Sequence, residues 1–154
     1  MKKIAIIMGS ESDRPTVESS LDYYNYFDIQ ADVFVLSAHR NPDEVQEFAK
    51  SAQSNGYATI VACAGMAAHL GGVVAAHTTL PVIGVPLDGS ALNGVDALYS
   101  MVQMPAGVPV ATMAIGKAGA RNAAVFAAQI MSLTHEDVAE KMIEFKKNGC
   151  KIPK

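Results

Sequence analysis

The sequence predicts an α/β fold in which a five-stranded parallel sheet, ordered 2-1-3-4-5, carries helices on both faces. Three observations lead there. Five short apolar runs, at 4–8, 33–36, 59–63, 82–85 and 110–114, are each bounded by Gly, Pro, Ser or Asn, as buried strands are. Segments of helical length and period separate the runs. Strict alternation of the two types builds a parallel sheet, because each strand must return through a right-handed crossover that leaves a helix on one face.

The elements follow in order. The run 4–8 is apolar throughout and stops at Gly9. Behind it Val17, Leu21 and Tyr24 fall at i, i+4 and i+7, one stripe of a helix that Ser12 or Asp13 can cap, with Pro15 in its first turn. After the second strand, Asn41 is placed to cap a helix, Pro42 fits its first position and Glu44 completes a variant of the capping box. Val45, Phe48 and Ala49 give that helix its apolar face. The fourth strand reads Pro81-Val82-Ile83-Gly84-Val85-Pro86, and Gln103-Met104-Pro105-Ala106-Gly107-Val108-Pro109 precedes the fifth. Residues 118–133 are Ala-rich and apolar on nearly every face, so this helix is expected to pack on neighbouring subunits as well as on the sheet. Thr134 reads as the cap of a last helix with Val138, Met142 and Phe145 in one stripe.

The order 2-1-3-4-5 is that of flavodoxin-like three-layer sandwiches. Its crevice opens at the carboxyl ends of strands 1 and 3, where the winding reverses, with the loop of strand 2 alongside. Functional residues are therefore expected in the first three loops.

Bulk properties bound the function. A chain of 154 residues is read as one domain, 1–154. The net charge of -3 leaves no basic field for nucleic acid or an anionic membrane surface, so any phosphate must be gripped locally. Half of the residues are hydrophobic and only 18% charged, which implies surface buried in a homo-oligomer. No apolar stretch reaches membrane-span length, and Met1-Lys2-Lys3 leads directly into the first strand with no room for a signal peptide, which points to the cytoplasm. Cys63 and Cys150 have neither disulfide density nor zinc spacing, and the histidine and carboxylate spacing fits no metal.

Three loops carry the chemistry. Gly9-Ser10-Glu11-Ser12-Asp13 combines a glycine with two hydroxyls at a helix start, a set that can hold a phosphate and can equally be an ordinary capped turn. Ser37-Ala38-His39-Arg40-Asn41-Pro42 sets an imidazole beside a guanidinium: Arg40 can pair a phosphate, and His39 can exchange a proton near neutral pH. Ala64-Gly65-Met66-Ala67-Ala68-His69-Leu70-Gly71-Gly72 is too small in side chain to serve as packing mass and leaves room for a planar ligand near His69; a close strand-to-helix turn is the alternative. His77 and His135 fall in helices and read as bystanders. Gly116-Lys117-Ala118-Gly119 lacks the P-loop spacing.

Taken together, these segments resemble the class I N5-carboxyaminoimidazole ribonucleotide mutases, the phosphoribosylaminoimidazole carboxylase catalytic subunit family. The resemblance spans 9–133 in six blocks: Gly-Ser-x-Ser-Asp, Ser-Ala-His-Arg, Ala-Gly-x-Ala-Ala-His-Leu, Pro-Val-Ile-Gly-Val-Pro, Gln-Met-Pro-x-Gly-Val-Pro-Val and Ala-Gly-x-x-Asn-Ala-Ala. It implies an octamer with C-terminal helices packed on neighbouring subunits. It also implies a purine-biosynthetic isomerase that moves a carboxylate from the exocyclic nitrogen to carbon 4 of the imidazole, without metal or cofactor. By resemblance Ser10, Ser12 and Arg40 bind phosphate, Asp13 the ribose, His39 is the general acid/base and His69 supports the carboxylate or ring, while Ser37, Ala38, Gly65, Ala67 and Leu70 line the pocket. Arg14, Met66 and Gly71 depart from the family's usual Trp, Gly and Pro. The rivals are a class II carboxylase using free carbon dioxide, whose pattern carries Ser-Ala-His-Lys, and a non-catalytic nucleotide-binding module of the same fold.

Overall fold

Side chains alternate between two cores, and the sheet lies between them. The structure, a computed structural model, describes residues 2–153. From β1 (Lys3–Met8), Ile4, Ile6 and Met8 enter one core while Ala5 and Ile7 enter the other, the period-two pattern of a strand buried on both faces. β3 (Ile60–Ala64) and β4 (Val82–Pro86) are buried at every position for the same reason. The sheet is parallel throughout in the order β2-β1-β3-β4-β5, with β2 (Gln30–Val35) and the two-residue β5 (Ala111–Thr112) at its edges. The predicted order is the observed one.

Helices divide between the faces. α1 (Arg14–Glu18), α2 (Leu21–Tyr26), α6 (Lys117–Ser132) and α7 (Glu136–Lys147) pack over one side through Val17, Tyr24, Ala120, Ala123, Ala127 and Phe145. α3 (Pro42–Ser51), α4 (Leu70–His77) and α5 (Val95–Val102) cover the other through Val45, Ala49, Leu70, Val74, Ala97 and Met101. The chain leaves β1 toward the first face and β3 toward the second. These adjacent strands diverge at their carboxyl ends and open the crevice there.

Several elements differ in detail from the sequence reading. The first helix is two pieces, because Ser19 and Ser20 turn their hydroxyls back onto the carbonyls of Thr16 and Val17, each at 2.6 Å, and end the first turn. Val17 and Tyr24 still share one buried face across the break. β2 begins three residues before its apolar run: Asp32 holds its polar start in place, accepting from Tyr57 Oη at 2.8 Å and pairing with Lys3 at 3.0 Å. β5 covers two residues of the five expected. The cap of α7 is His135, in extended backbone, not Thr134, whose hydroxyl bonds Met131 O instead. Asn41 does precede α3 and Pro42 does begin it, but no capping box forms, since Asn41 Oδ1 accepts from the Ser37 amide. The polar residues of α6, among them Lys117, Arg121, Asn122 and Gln129, gather on one exposed strip while seven residues are buried, so the helix is amphipathic in the fold.

Candidate active site

The first loop is built as a small hydrogen-bonded cage. Ser10, with extended φ and ψ, caps a 3-10 turn at Glu11–Asp13; its hydroxyl accepts from Ser12 N at 3.4 Å and Ser12 Oγ at 2.9 Å, and its own amide donates to Asp13 Oδ2 at 3.1 Å. This is a reciprocal capping box. It gathers two hydroxyls and a carboxylate within a few residues of the end of β1. Burial pushes the Asp13 carboxyl above the ordinary carboxylate range, and the bond from the Ser10 amide pulls the other way.

The second loop is held by its own side chains. Ser37 Oγ accepts from the Arg40 amide at 3.3 Å, and Asn41 N donates to Ser37 O at 2.8 Å, so His39 and Arg40 are carried at the tip of a closed turn. The Arg40 guanidinium makes no ion pair among the described residues.

The third loop presents His69, which precedes α4 with no side-chain cap bond. Its Nδ1 lies 2.8 Å from Nε2 of His39, and the rings stand at 86° with centroids 4.9 Å apart. Two imidazoles that are thirty residues apart in sequence are in direct hydrogen-bond contact.

One hollow joins the three loops. Its volume is about 580 Å³, and Ser10, Ser12, Asp13, Ser37, Ala38, His39, Arg40, Gly65, Ala67, His69 and Leu70 all line it. Every residue expected from the sequence to be catalytic or substrate-binding thus lines one hollow. A second hollow of about 400 Å³ rests on the outer side chains of α3 alone, among them Asp43 and Lys50, and shares no residue with the first. His77 and His135 lie elsewhere, each with Nδ1 against the backbone carbonyl four residues back.

The family model described as AIR carboxylase matches residues 3–151. The chain belongs to the AIR carboxylase family. Its sequence is 49% identical to the N5-carboxyaminoimidazole ribonucleotide mutase of Escherichia coli K12 over 94% of this chain and 86% of that one. It is 52% identical to the protein of the same name from Bacillus subtilis, over 94% and 90%. Among solved structures, Treponema denticola PurE superposes with a TM-score of 0.86 at 26% identity, covering 96% of this chain and 91% of that one. The fold is flavodoxin-like.

In this member of the family the departures at Arg14, Met66 and Gly71 have visible settings. Arg14 is paired with Glu11 through both its Nε and Nη2, the latter at 2.9 Å, and so is drawn toward the rim of the first loop. Met66 sits at φ 56°, the left-handed region where a glycine would be less strained, and the residue is 64% exposed at the mouth of the hollow. Gly71 is the second residue of α4, where a Cβ would meet Val110 at an ordinary 3.4 Å.

The sequence reading missed the loop after β4. Leu87, Asp88 and Gly89 also line the hollow, together with Thr16. The signal was available in the strand order: β4 neighbours β3, so its carboxyl end must open onto the same edge as the third loop. The two loops are tied, Leu87 N donating to Ala64 O at 3.0 Å.

Proposed function

We propose that this chain is a mutase that converts N5-carboxyaminoimidazole ribonucleotide into 4-carboxy-5-aminoimidazole ribonucleotide. The observation that carries the reading is the convergence of Ser10, Asp13, His39, Arg40 and His69 on one hollow, in a chain about half identical to proteins bearing that name. Arg40 and the hydroxyls of Ser10 and Ser12 take the phosphate, a charge-assisted grip that needs no basic field. Asp13 accepts from the ribose.

Chemistry then falls to the imidazoles. A proton delivered by His39 to the carboxylated exocyclic nitrogen lets the C–N bond break, its electrons staying on nitrogen, and carbon dioxide departs. Carbon 4, now part of an enamine, must recapture that gas before it escapes. Small residues at Gly65 and Ala67 leave space for it beside the ring, so attack is intramolecular in effect. His69 supports the new carboxylate. The carbon 4 proton returns to His39, and the site is restored.

Substrate is a phosphorylated ribonucleotide, and the working form is a homo-octamer. Supporting assembly, Val95, Tyr99 and Val102 stand exposed along one side of α5, an apolar stripe that a monomer would leave in water. The deciding assay offers the purified protein N5-carboxyaminoimidazole ribonucleotide alone, then aminoimidazole ribonucleotide with bicarbonate. Gain of imidazole-carboxylate absorbance with the first substrate is expected. Turnover only with the second would make it a free carbon dioxide carboxylase, and turnover with neither would leave a binding module.

A further inference from the structure

The contact between His39 and His69 constrains where hydrogens can be. At 2.8 Å between His39 Nε2 and His69 Nδ1, one hydrogen must lie between the nitrogens: two would collide, and none would set lone pair against lone pair. A neutral imidazole carries a single N–H. If the bridging hydrogen belongs to His39 Nε2, then His69 Nδ1 is bare and His69 holds its hydrogen on Nε2. If it belongs to His69 Nδ1, then His39 Nε2 is bare and His39 holds its hydrogen on Nδ1. The neutral rings therefore always carry hydrogen on the same-named atom, both on Nε2 or both on Nδ1.

This coupling has a chemical consequence. We propose that His39 and His69 work as one proton-carrying unit, in which a proton taken up at the outer nitrogen of one ring is released from the outer nitrogen of the other. The inference rests on the mutase reading for its substrate but on the geometry alone for its mechanism. The singly protonated pair holds hydrogens on both outer nitrogens, His39 Nδ1 and His69 Nε2, with a third between the rings. Loss of either outer proton to the exocyclic nitrogen accompanies C–N cleavage and release of carbon dioxide. When carbon 4 bonds to that carbon dioxide, the carbon 4 proton passes to whichever outer nitrogen is bare, its C–H electrons returning to the ring. Within one turnover the bare outer nitrogen is the donor's own, so the proton returns there; a hop of the bridging hydrogen then lets the restored pair release its next proton from the other ring. Protons balance over the cycle, and the pair ends as it began.

No other described side chain is hydrogen-bonded to either imidazole. Asp13, Arg40 and Asp88 line the same hollow but bond elsewhere or to nothing described. A change of protonation on one ring thus has the other ring as its hydrogen-bonded recipient.

The test has two arms. Histidine-selective 15N NMR of the wild-type protein at pH about 9, above the ordinary histidine range, reads both tautomers directly, with His39→Asn and His69→Asn used only for assignment. Matching tautomers with coupling across the N–H···N bond are expected. One ring protonated on Nε2 and the other on Nδ1 overturns the proposal. In the second arm, turnover is compared for His39→Asn, His69→Asn and the double variant. A unit predicts that the double variant falls no further than the slower single variant, within about threefold, as groups that act together do; losses that multiply overturn it. A wild-type protein without mutase turnover would defeat the functional reading, while the NMR arm would still decide the pairing.

Discussion

Replacing Gly119 with alanine should destabilise the fold although it adds a better helix former. A Cβ at Gly119 would stand 1.6 Å from Ala114 O and 2.7 Å from Ala114 C. Ordinary heavy-atom contacts begin near about 3.5 Å, so helix and turn must part by roughly 2 Å. The turn cannot yield cheaply. Met113 N donates to Gly84 O and Gly116 N to Pro86 O, both at 2.8 Å, which ties the turn to β4. Overpacking of this kind costs about 1–3 kcal/mol, and each backbone bond given up adds about 1 kcal/mol. Alanine returns about 1 kcal/mol of helix propensity. The net loss is about 3 kcal/mol, which for a chain of this size is roughly 6–12 °C in Tm.

Gly72→Ala supplies the control. It gains the same propensity inside α4, and its Cβ would meet only the flexible end of Met104, at 3.2 Å. Thermal unfolding of both variants at one fixed protomer concentration should place Gly72→Ala within a few degrees of the wild type and Gly119→Ala far below it. A Gly119→Ala protein with unchanged Tm would refute the claim that this glycine exists for close approach. Because Gly116 adjoins Asp88, a Cβ there lying 3.7 Å from Asp88 Oδ2, displacement of α6 should also raise KM.

Three further outcomes are expected. His39→Asn should retain substrate binding by calorimetry while turnover falls by about 10²-fold or more, the scale of general acid/base catalysis; a near-normal rate would remove His39 from the chemistry. Asp13 is held above its ordinary value, so the native state binds the extra proton and stability falls as pH rises from the ordinary carboxylate value through the folded one. Asp13→Asn should abolish that part of the pH dependence in urea midpoints, leaving a constant offset where an amide oxygen replaces the carboxylate that accepts from the Ser10 amide. The Cys63 thiol is buried and pushed up to about 12, so a thiol reagent should modify it only after denaturant is added; modification of native protein at Cys63 would contradict the packing of β3.

Much of the site was legible because strand order converts into loop neighbourhood. Once five apolar runs are placed as 2-1-3-4-5, Ser10, His39 and His69 must occupy adjacent loops, whatever their separation in sequence. The residues that escaped did so for physical reasons. Asp88 follows an apolar strand with no motif of its own, and only its adjacency to β3 brings it to the hollow. The break at Ser19 and Ser20 arises from hydroxyls that satisfy carbonyls locally, a choice that periodicity does not register. Asn41 and Thr134 have cap-forming side chains, but tertiary and local geometry gave those groups other partners. The contact of His39 with His69 depends on side-chain direction at two loop tips, and no spacing rule encodes it.

For the substrate proposed above, the placement of positive charge favours Arg40 over Arg14 as the phosphate's partner. Arg14 lies in the neighbouring segment but is engaged by both carboxylate oxygens of Glu11, so a phosphate there would have to displace an existing ion pair. Arg40 has no such competitor among the described residues. The hydroxyls of Ser10 and Ser12 meanwhile bond to each other at 2.9 Å, a neutral contact that a phosphate oxygen can replace with a charge-assisted one. Binding at Arg40 therefore exchanges weak bonds for strong ones, whereas binding at Arg14 would exchange one ion pair for another. An acidic chain can hold a dianion by this local arithmetic, without any basic surface around it.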